Sequence, residues 1–437
     1  MNVSIAIMAA GFGTRMKSSL PKVLHPISGH PMLYHIIHEA KKISDDIHVI
    51  VYHQHEAIIS AMRPYFDDVT YVVQDHENFP GTGGAMMAVE PKHDKVLVLS
   101  GDMPLVRAYD LAPLLDIVAP VVLTAFETPR PFGYGRIKMN NALHVTGIVE
   151  EKDATEEEKT INTVNAGVYL FERNFLSSAL PMLSNANAQR EYYLTDLIGI
   201  AAQRECVIKA VMVNEEAFMG VNSKAHLAKA ETLMQTRIKT YWMEQGVSMR
   251  LPETSFIDAL ASFEGECVIE NGVSVLGKTV LKNTTIKAHS VVEESIIESS
   301  SIGPLARIRP KCHIVRSHIG NFVEVKNSTL QGVKAGHLSY LGDASIDEGT
   351  NVGCGTITCN YDGKAKYKTQ IGKNVFIGSD TQLIAPVVIE DNVLIGAGST
   401  ITSNVPSGAL AISRAKMQIK AGFFKRFFSS KRDHGTA

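Results

Sequence analysis

The chain has 437 residues, of which 45% are hydrophobic and 20% charged, and its formal net charge is −2 at pH 7. This length exceeds what one hydrophobic core usually fills, so we expect at least two domains. The near-neutral charge gives no general attraction to nucleic acid or anionic membranes, and no apolar run reaches membrane-spanning length. The first residues predict a buried strand and not a secretion signal, and five irregularly spaced cysteines argue against a disulfide framework. We therefore expect a soluble cytoplasmic protein.

The first 220 residues predict an α/β domain with a Rossmann-like, mostly parallel sheet. Continuous apolar runs alternate with helical periodicity, as is typical of strands covered on both faces. The clearest predicted strands are Ser4–Ala9, His48–Tyr52, Val96–Ser100 and Val121–Phe126. A helix is predicted over Ser223–Gln245, with Gly246 as its C-terminal cap. It is either a rod of roughly 35 Å joining two domains or one more surface helix of the first domain.

Beyond residue 260 the hydrophobic pattern repeats every six residues. Aliphatic residues recur without a slip at Ile371, Ile377, Leu383, Ile389, Ile395 and Ile401, and earlier copies begin at Ile269, Val275, Leu281, Ile302 and Ile308. A hexapeptide repeat is typical of a parallel β-helix, in which three units close one triangular coil. Each aliphatic side chain then points inward onto its equivalent in the next coil. A sandwich of ordinary strands would show a period of two, so we favour the β-helix.

Two stretches interrupt this repeat, at residues 326–345 and at Cys359–Lys368. Insertions in a solenoid tend to gather on a functional face. A basic, aromatic tail that includes Phe423–Phe428 follows, and it either packs on its own domain, stays disordered or touches a membrane surface. We therefore expect a first domain over 1–222, a linker helix over 223–246, a β-helix over 247–416 and a tail over 417–437.

Two motifs of the first domain point to nucleotide chemistry. The loop Gly11–Gly13 follows the first strand, and Arg15 and Lys22 could add positive charge for a triphosphate. This loop is neither a P-loop nor a dinucleotide fingerprint, and a tight turn without a ligand is an equal alternative. Asp102 follows the apolar strand Val96–Ser100, at the edge where open α/β sheets bind ligands. Its carboxylate either suits Mg²⁺ or belongs to a simple Gly-Asp turn.

Further fragments follow in order along the chain: Gln74, Gly81–Gly83, Gly133–Arg136, Ile148–Asp153, Asn165–Gly167 and Glu191–Tyr193. The stretch from Ala9 to Leu24 resembles the signature of sugar-phosphate nucleotidyltransferases. With the β-helix behind it, nearly all of residues 1–416 resembles the bifunctional N-acetylglucosamine-1-phosphate uridyltransferases and glucosamine-1-phosphate N-acetyltransferases of bacterial cell-wall synthesis. The departures are mild: Met8 replaces the usual Leu, Ser100 the commoner Tyr, and Gly84 a His.

The resemblance implies the residues of a uridyltransferase site. Nucleotide and sugar would be held by Met8, Ala9, Ala10, Gly11, Lys22, Gln74, Gly81, Thr82, Ser100, Gly101, Asp102, Gly135, Glu150, Asn165 and Asn222. In this set Gln74 and the Gly-Thr pair would read the uracil edge, whereas Gly135, Glu150 and Asn165 would hold the sugar. Asp102 and Asn222 would bind Mg²⁺. Arg15 and Lys22 would neutralise charge while the sugar phosphate attacks the α-phosphorus of UTP in line.

In the β-helix, the densest group of polar residues surrounds His337. The unperturbed pKa of histidine, about 6.5, suits a general base that deprotonates an amine, although a packed or exposed His without a role is the alternative. Arg309 and Lys326 could bind a sugar phosphate, Arg309 in bidentate fashion. Asn360–Gly363 together with Lys366 would form a polar loop able to reach a neighbouring subunit.

The resemblance makes His337 the proton acceptor of acetyl transfer. It implies a glucosamine-1-phosphate site of Arg309, Lys326, Tyr340, Asn351 and Lys366, and an acetyl-CoA site of Cys354, Asn360, Tyr361, Ser379, Ala397 and Arg414. The sugar amine would attack the thioester, and a backbone N–H would stabilise the oxyanion. Cys354, where the family commonly has Ala, and Cys359 could be taken for a redox or metal pair. No other Cys or His stands at metal spacing, so we expect buried, neutral thiols.

These expectations combine into one function. The chain would acetylate glucosamine-1-phosphate with acetyl-CoA and then transfer uridylyl from UTP to the resulting N-acetylglucosamine-1-phosphate. We expect Mg²⁺ as cofactor and a cytoplasmic homotrimer, because hexapeptide β-helices commonly trimerise, and no nucleic-acid or integral-membrane association. One competing hypothesis makes the β-helix regulatory, as in glucose-1-phosphate pyrophosphorylases, which would leave His337 without a purpose. Another makes the chain a trimeric scaffold without catalysis.

Overall fold

The computed structural model describes residues 2–142 and 144–429. They divide into two compact units between Ile238 and Lys239. The first unit is built on a mixed sheet of the strands β1 (Val3–Ala9), β2 (Ile47–Val51), β3 (Thr70–Val73), β4 (Lys95–Ser100), β5 (Val121–Glu127), β6 (Arg136–Met139), β7 (Val145–Val149), β8 (Thr163–Glu172) and β9 (Ile208–Met212). The order across the sheet is β9-β5-β8-β4-β1-β2-β3, and the hairpin of β6 and β7 joins the sheet at β8. The strands β4, β1, β2 and β3 are parallel neighbours, whereas β8 is antiparallel to β4 and β5.

Helices cover both faces of this sheet, as the apolar strands predict. They are α1 (Met32–Ala40), α2 (His55–Met62), α3 (Gly81–Met86), α4 (Ala108–Leu115), α5 (Arg173–Ala179), α6 (Asp196–Gln203) and α7 (Lys224–Glu244). On β1, Ile5 and Ile7 belong to the core on one face, with α1, α2 and α4, whereas Ala6 belongs to the core on the other, with α5 and α6. The alternation follows from the period of two along a strand. Along the described parts of the chain, no helix is both long and apolar enough to cross a membrane.

The second unit is a left-handed parallel β-helix, whose strands stack in parallel sheets. One sheet contains Ser248–Met249, Val268–Ile269, Thr285–Ile286, Ser301–Ile302, His318–Asn321, Lys334–His337, Asn351–Val352, Phe376–Ile377, Leu394–Ile395 and Leu410–Ala411. The next contains Phe256–Ile257, Ser274–Leu276, Val291–Glu293, Arg307–Ile308, Glu324–Lys326, Tyr340–Gly342, Ile357–Cys359, Gln382–Ile384 and Thr400–Ile401. A further sheet contains Ser262–Glu264, Val280–Lys282, Ile296–Glu298, His313–Val315, Thr329–Gln331, Ala344–Ile346, Thr369–Ile371 and Val387–Ile389. The predicted aliphatic residues of the repeat point inward and are buried.

One predicted interruption of the repeat is wrong and the other is confirmed. Between residues 326 and 345 the coils continue, because Val325 pairs with Leu341, and Leu330 with Ile346, on stacked strands. The inward residues are spaced by five as well as six here, so the sequence period slips although the coil does not. Residues 360–368 do leave the coil as a loop, which begins one residue after the predicted Cys359. It is closed by a bridge between Tyr361 and Lys366 and by the Tyr367 N–H, which donates to the Asn360 carbonyl at 2.8 Å.

Helix α7 begins one residue after the start of the predicted helix and ends one residue before its end. Its first half packs in the first unit, where Leu227, Ala230 and Met234 join a small core. Its last turn belongs to the second unit, where Trp242 packs on Phe263 with ring centroids 5.0 Å apart. In the tail, Phe423–Ser429 form a further helix, α8, with exposed side chains. The rest of the predicted tail, residues 430–437, lies outside the described residues.

Candidate functional sites

A cavity of about 300 Å³ lies at the carboxyl ends of β1 and β4. Because these strands are parallel neighbours, with Met8 paired to Ser100, the loops that follow them meet at this edge. The Gly101 N–H donates to the Met8 carbonyl at 2.9 Å, and a Cβ on Gly101 would lie 3.1 Å from that oxygen. The close approach holds Asp102 beside the loop that begins at Gly11.

Most of the predicted nucleotide-binding residues line this cavity: Met8, Ala9, Ala10, Gly11, Lys22, Gln74, Gly81, Thr82, Ser100 and Asp102. Five further residues line the cavity that were not among the predicted binding residues: Phe12, Val23, His76, Ala85 and Glu191. Phe12 and Val23 lie in the Ala9–Leu24 stretch and Glu191 begins another of the fragments, whereas His76 had only its position two residues after Gln74 as a signal.

Charged and polar groups converge at one end of the cavity. The Lys22 ammonium donates to Asp102 Oδ2 and, at 2.6 Å, to Asn222 Oδ1. Arg15 Nη2 donates to the same Asn222 oxygen at 2.8 Å, and Ser100 Oγ donates to Asp102 Oδ1 at 2.7 Å. The side chains of Lys22 and Asp102 are only 13% and 16% exposed. The predicted magnesium ligands therefore point at one common cation position.

The predicted base-reading residues are held rigidly. Gln74 is buried, and its Nε2 donates to the carbonyls of Phe79 and Gly81, each at 2.9 Å, which leaves Oε1 as an acceptor. Thr82 Oγ1 accepts the N–H of Leu194 at 3.0 Å. A Cβ on Gly84 would lie 2.1 Å from the Phe79 carbonyl oxygen. In this conformation only glycine fits at position 84.

The predicted sugar-binding residues form a second cluster around β6, β7 and β8. The Asn165 N–H donates to the Gly135 carbonyl at 2.8 Å, and a Cβ on Gly135 would lie 3.5 Å from Glu150 Oε2. Thr195 Oγ1 donates to Glu150 Oε1 at 2.9 Å. Burial raises the pKa of Glu150, although the bond from Thr195 opposes the shift. The structure thus brings together Gly135, Glu150 and Asn165 from three separate strands or loops.

In the β-helix, cationic side chains gather on one face. The neighbouring Lys366 is the largest cause that lowers the pKa of Lys326, with smaller contributions from burial and from the charge of Arg309. The Asp343 carboxylate opposes the shift. Arg309 itself pairs with Glu324, with 3.0 Å between Nη1 and Oε1. Like charges this close favour an anionic ligand, as predicted for the glucosamine-1-phosphate site.

The predicted base, His337, is exposed at the end of the strand Lys334–His337 and lies opposite Asn321 of the preceding coil. Asn351 lies opposite Lys334 on the following coil. Tyr340 begins the next strand, where it pairs with Glu324. By these registers, the predicted base His337 and the predicted sugar-phosphate ligands Tyr340 and Asn351 lie on the same coil or on adjacent coils.

The predicted acetyl-CoA residues run down successive coils, about 4.8 Å apart. Their backbones are linked in sequence: the Asp380 N–H donates to the Cys354 carbonyl at 2.7 Å, and the Gly398 N–H to the Ser379 carbonyl at 2.8 Å. Arg414 Nη1 then donates to the Ala397 carbonyl at 2.9 Å. At the insertion loop, buried Asn360 donates to the Asp343 carboxylate, whereas Tyr361 is exposed. Cys354, Ser379 and Ala397 therefore lie in a row on successive coils.

The prediction for the two cysteines of this face needs one correction. Cys354 and Cys359 are half-buried free thiols and not fully buried ones. Cys354 lies in a turn, and Cys359 is the last residue of the strand Ile357–Cys359. Burial nevertheless raises the pKa of the Cys359 thiol, which keeps it protonated.

Comparison with known proteins bears on the two units of the chain. Residues 5–158 match the MobA-like NTP transferase domain, and residues 368–403 match the bacterial transferase hexapeptide with six repeats. Fold and sites thus define a nucleotidyltransferase joined to a hexapeptide-repeat acyltransferase in one chain.

Two relatives cover essentially the whole chain. It is 60% identical to the bifunctional protein GlmU of Nitratiruptor sp. over 98% of this chain and 99% of the relative. It is 57% identical to the bifunctional protein GlmU of Wolinella succinogenes over 99% of this chain and 100% of the relative. Among solved structures, HddC from Yersinia pseudotuberculosis matches at 19% identity with a TM-score of 0.41, over 54% of this chain and 100% of that one.

The chain belongs to the family of bifunctional GlmU proteins. It is an enzyme with two activities, uridylyl transfer from UTP to N-acetylglucosamine-1-phosphate and acetyl transfer from acetyl-CoA to glucosamine-1-phosphate. The hypothesis of a scaffold without catalysis is therefore wrong, and so is that of a purely regulatory β-helix.

Proposed function

We propose that UTP binds in the cavity at the carboxyl ends of β1 and β4, and that glucosamine-1-phosphate and acetyl-CoA bind on the face of the β-helix that carries His337. The convergence of Asp102 and Asn222 on the Lys22 ammonium supports the first assignment. The crowding of Lys326 by Lys366 supports the second. The first observation supports a cation position near the phosphates, and the second supports an anionic ligand beside the two lysines.

Asp102 and Asn222 fit a magnesium ion. Carboxylate and amide oxygens are the hard ligands that Mg²⁺ takes from proteins, with water and phosphate completing its shell. Both oxygens already contact the same ammonium group, so they can share a cation. When bound, Mg²⁺ would neutralise negative charge on the phosphates of UTP. Ser100 would hold the Asp102 carboxylate in place through its bond to Oδ1.

The uridylyl step needs positioning and charge neutralisation more than covalent chemistry. A phosphate oxygen of N-acetylglucosamine-1-phosphate attacks the α-phosphorus of UTP, a new P–O bond forms, and the bond to pyrophosphate breaks. Lys22 and Arg15 lie where they can stabilise the charge that moves onto the pyrophosphate. Glu150, Asn165 and Gly135 hold the sugar so that its phosphate is aligned.

The acetyl step is an attack of the sugar amine on the thioester carbonyl. The nitrogen forms a bond to carbon, the C–S bond breaks, and the proton lost from nitrogen passes to His337, from which it can reach the CoA sulfur. Arg309, Lys326 and Lys366 hold the phosphate of the sugar, with Tyr340 and Asn351 nearby. The extended CoA chain is held by Cys354, Ser379, Ala397 and Arg414. Asn360 and Tyr361, at the start of the insertion loop, complete the acetyl-CoA site.

A cytoplasmic homotrimer is the assembly that best suits these sites. The insertion loop exposes Tyr361, which could contact a neighbouring subunit. The cysteines of the described chain are all free thiols, which suits a reducing compartment. Light scattering of the purified protein tests the assembly, because a stable monomer would contradict it.

The deciding experiment is an assay of the wild-type chain with glucosamine-1-phosphate, acetyl-CoA, UTP and Mg²⁺. Free CoA thiol, pyrophosphate and UDP-N-acetylglucosamine are measured together. We expect all three products. Omission of acetyl-CoA should stop pyrophosphate release until N-acetylglucosamine-1-phosphate is added. Replacement of Mg²⁺ by excess EDTA should stop pyrophosphate release only, and continued release would contradict the magnesium assignment.

A further inference from the structure

Four rings form a cluster at the rim of the nucleotide cavity: Phe12, Tyr52, His53 and His76. Tyr52 and His76 are stacked, with centroids 4.5 Å apart and planes at 11°. The ring of Phe12 meets both of them edge-on, at 5.8 Å from Tyr52 and 5.3 Å from His76. It also contacts His53 at 5.2 Å. Edge-to-face and stacked pairs at these distances are attractive.

The cluster joins segments that are far apart in sequence. Phe12 is the middle residue of the predicted phosphate loop, Tyr52 and His53 follow β2, and His76 stands two residues after Gln74 in the loop after β3. Phe12 and His76 also line the cavity itself. The rings therefore connect the segment assigned to the phosphates with the segment assigned to the base.

The two connected segments differ in rigidity. The base segment is closed by Gln74, whose side chain bonds to the carbonyls of Phe79 and Gly81. The phosphate loop has a glycine on each side of Phe12, and Gly13 adopts a φ of +63° that side chains disfavour. Glycines leave a backbone free to move, so the ring of Phe12 is an anchor for this loop. The ring is 50% exposed, which core packing alone does not explain.

We propose that Phe12 is a positioning residue for uridylyl transfer. Its ring, held by Tyr52 and His76, fixes the backbone amides around Gly11 and Gly13 for the triphosphate of the nucleotide substrate. Recognition of the base and of the phosphates is thereby coupled through the ring cluster. This inference rests on the proposed UTP site, since it presumes that the phosphates lie against the Gly11–Gly13 loop.

The test compares Phe12→Leu, which keeps an apolar side chain without a ring, with Phe12→Tyr, which keeps the ring. We expect Phe12→Leu to raise KM for UTP by about tenfold, because it removes aromatic contacts to three rings. KM for N-acetylglucosamine-1-phosphate should stay close to the wild-type value. Phe12→Tyr should stay close to wild type. Acetyl transfer by the same preparations should not change, since that site lies in the other unit.

A matched control is available in the same unit. Tyr65 is also about half exposed and belongs to another ring group, with Tyr34 at 5.2 Å and His30 at 5.3 Å, but it does not line the cavity. Tyr65→Leu should leave KM for UTP unchanged. A normal KM in Phe12→Leu, or equal losses in Phe12→Tyr and Phe12→Leu, would overturn the proposal.

A second pair of variants keeps the proposal testable if Phe12→Leu fails to fold. His76→Phe retains a ring that can stack on Tyr52, whereas His76→Ala does not. We expect His76→Ala alone to raise KM for UTP, and equal behaviour of the two would overturn the proposal. Failure of the UTP site itself gives a different result, because Asp102→Asn would then remain fully active. Inactive Asp102→Asn with normal Phe12→Leu and His76→Ala would reject only the ring cluster.

Discussion

The two units build their sites by different geometries. In the first unit, Gly11, Gln74 and Asp102 come from segments far apart in sequence and line one cavity because parallel strands end at one edge. In the β-helix, Cys354, Ser379 and Ala397 recur at intervals of one coil and meet because the coils stack. A sheet edge gathers unlike residues around a compact cavity. A stack of coils repeats similar residues along a line, which suits an extended ligand such as acetyl-CoA.

The largest effect should follow removal of the base in the β-helix. His337→Ala should lower the rate of acetyl transfer by about a thousandfold, because it removes the imidazole that is proposed to accept the proton. Uridylyl transfer by the same variant should match wild type. Measurement of CoA thiol and pyrophosphate in parallel tests both statements, and a parallel loss of both activities would show that the units are not independent.

Asp102→Asn makes the reverse comparison. The amide keeps the shape of the side chain but loses the charge that pairs with Lys22, so uridylyl transfer should fall by about a hundredfold or more. Acetyl transfer should be unaffected. The remaining uridylyl transfer should depend less steeply on the concentration of Mg²⁺ than in the wild-type protein. Activity near wild type at ordinary Mg²⁺ concentrations would reject Asp102 as a ligand.

A core substitution can show whether the β-helix and the first unit unfold independently. Ile377 is buried inside the β-helix, so Ile377→Ala should lower the free energy of unfolding of that unit by about 2–5 kcal/mol. Acetyl transfer should then be lost at a lower urea concentration, while uridylyl transfer survives to its usual midpoint. Ile384→Ala, on a neighbouring strand but with its side chain partly exposed, should change stability by less than about 0.5 kcal/mol.

The cation cluster gives a smaller and more specific effect. Lys366→Ala should raise KM for glucosamine-1-phosphate by about tenfold, because one phosphate contact is lost. It should also move the pKa of Lys326 upward, since Lys366 is the main cause of its lowered value. NMR titration of the labelled lysine side chains measures that shift. Lys364→Ala, in the same loop, serves as the control and should alter neither quantity.

The smallest expected effect is a change in the free energy of unfolding after a substitution in one of the helices that cover the sheet. Gly199 lies within α6, and a Cβ there would meet no atom within 4 Å. Gly199→Ala should stabilise the first unit by about 0.5–1 kcal/mol, because alanine loses less backbone entropy on folding. Urea unfolding followed through uridylyl transfer measures it. A destabilised variant would mean that the surroundings of α6 are tighter than the structure shows.

Local patterns predicted much of the fold and less of the sites. The strand before Asp102 and the hexads from Ile371 to Ile401 were predictable because burial imposes a period on the sequence. The continuity of the coils around His337 was not, because inward residues spaced by five mix with others spaced by six and hide the repeat. The meeting of Phe12 with His76 was beyond prediction too, because it depends on how β1, β2 and β3 are ordered in the sheet.

The contact of Trp242 with Phe263 matters for how the first coil of the β-helix is protected from aggregation through its open strand edge. A stack of parallel strands ends in unpaired backbone groups that can template the addition of another chain. The last turn of α7 lies at the first coil, where the Val247 N–H donates to the Trp242 carbonyl at 3.0 Å. A fragment that starts at Lys239 keeps this cover, whereas one that starts at Val247 bares Phe263 and the open edge. The first fragment should remain dispersed in solution, and the second should aggregate.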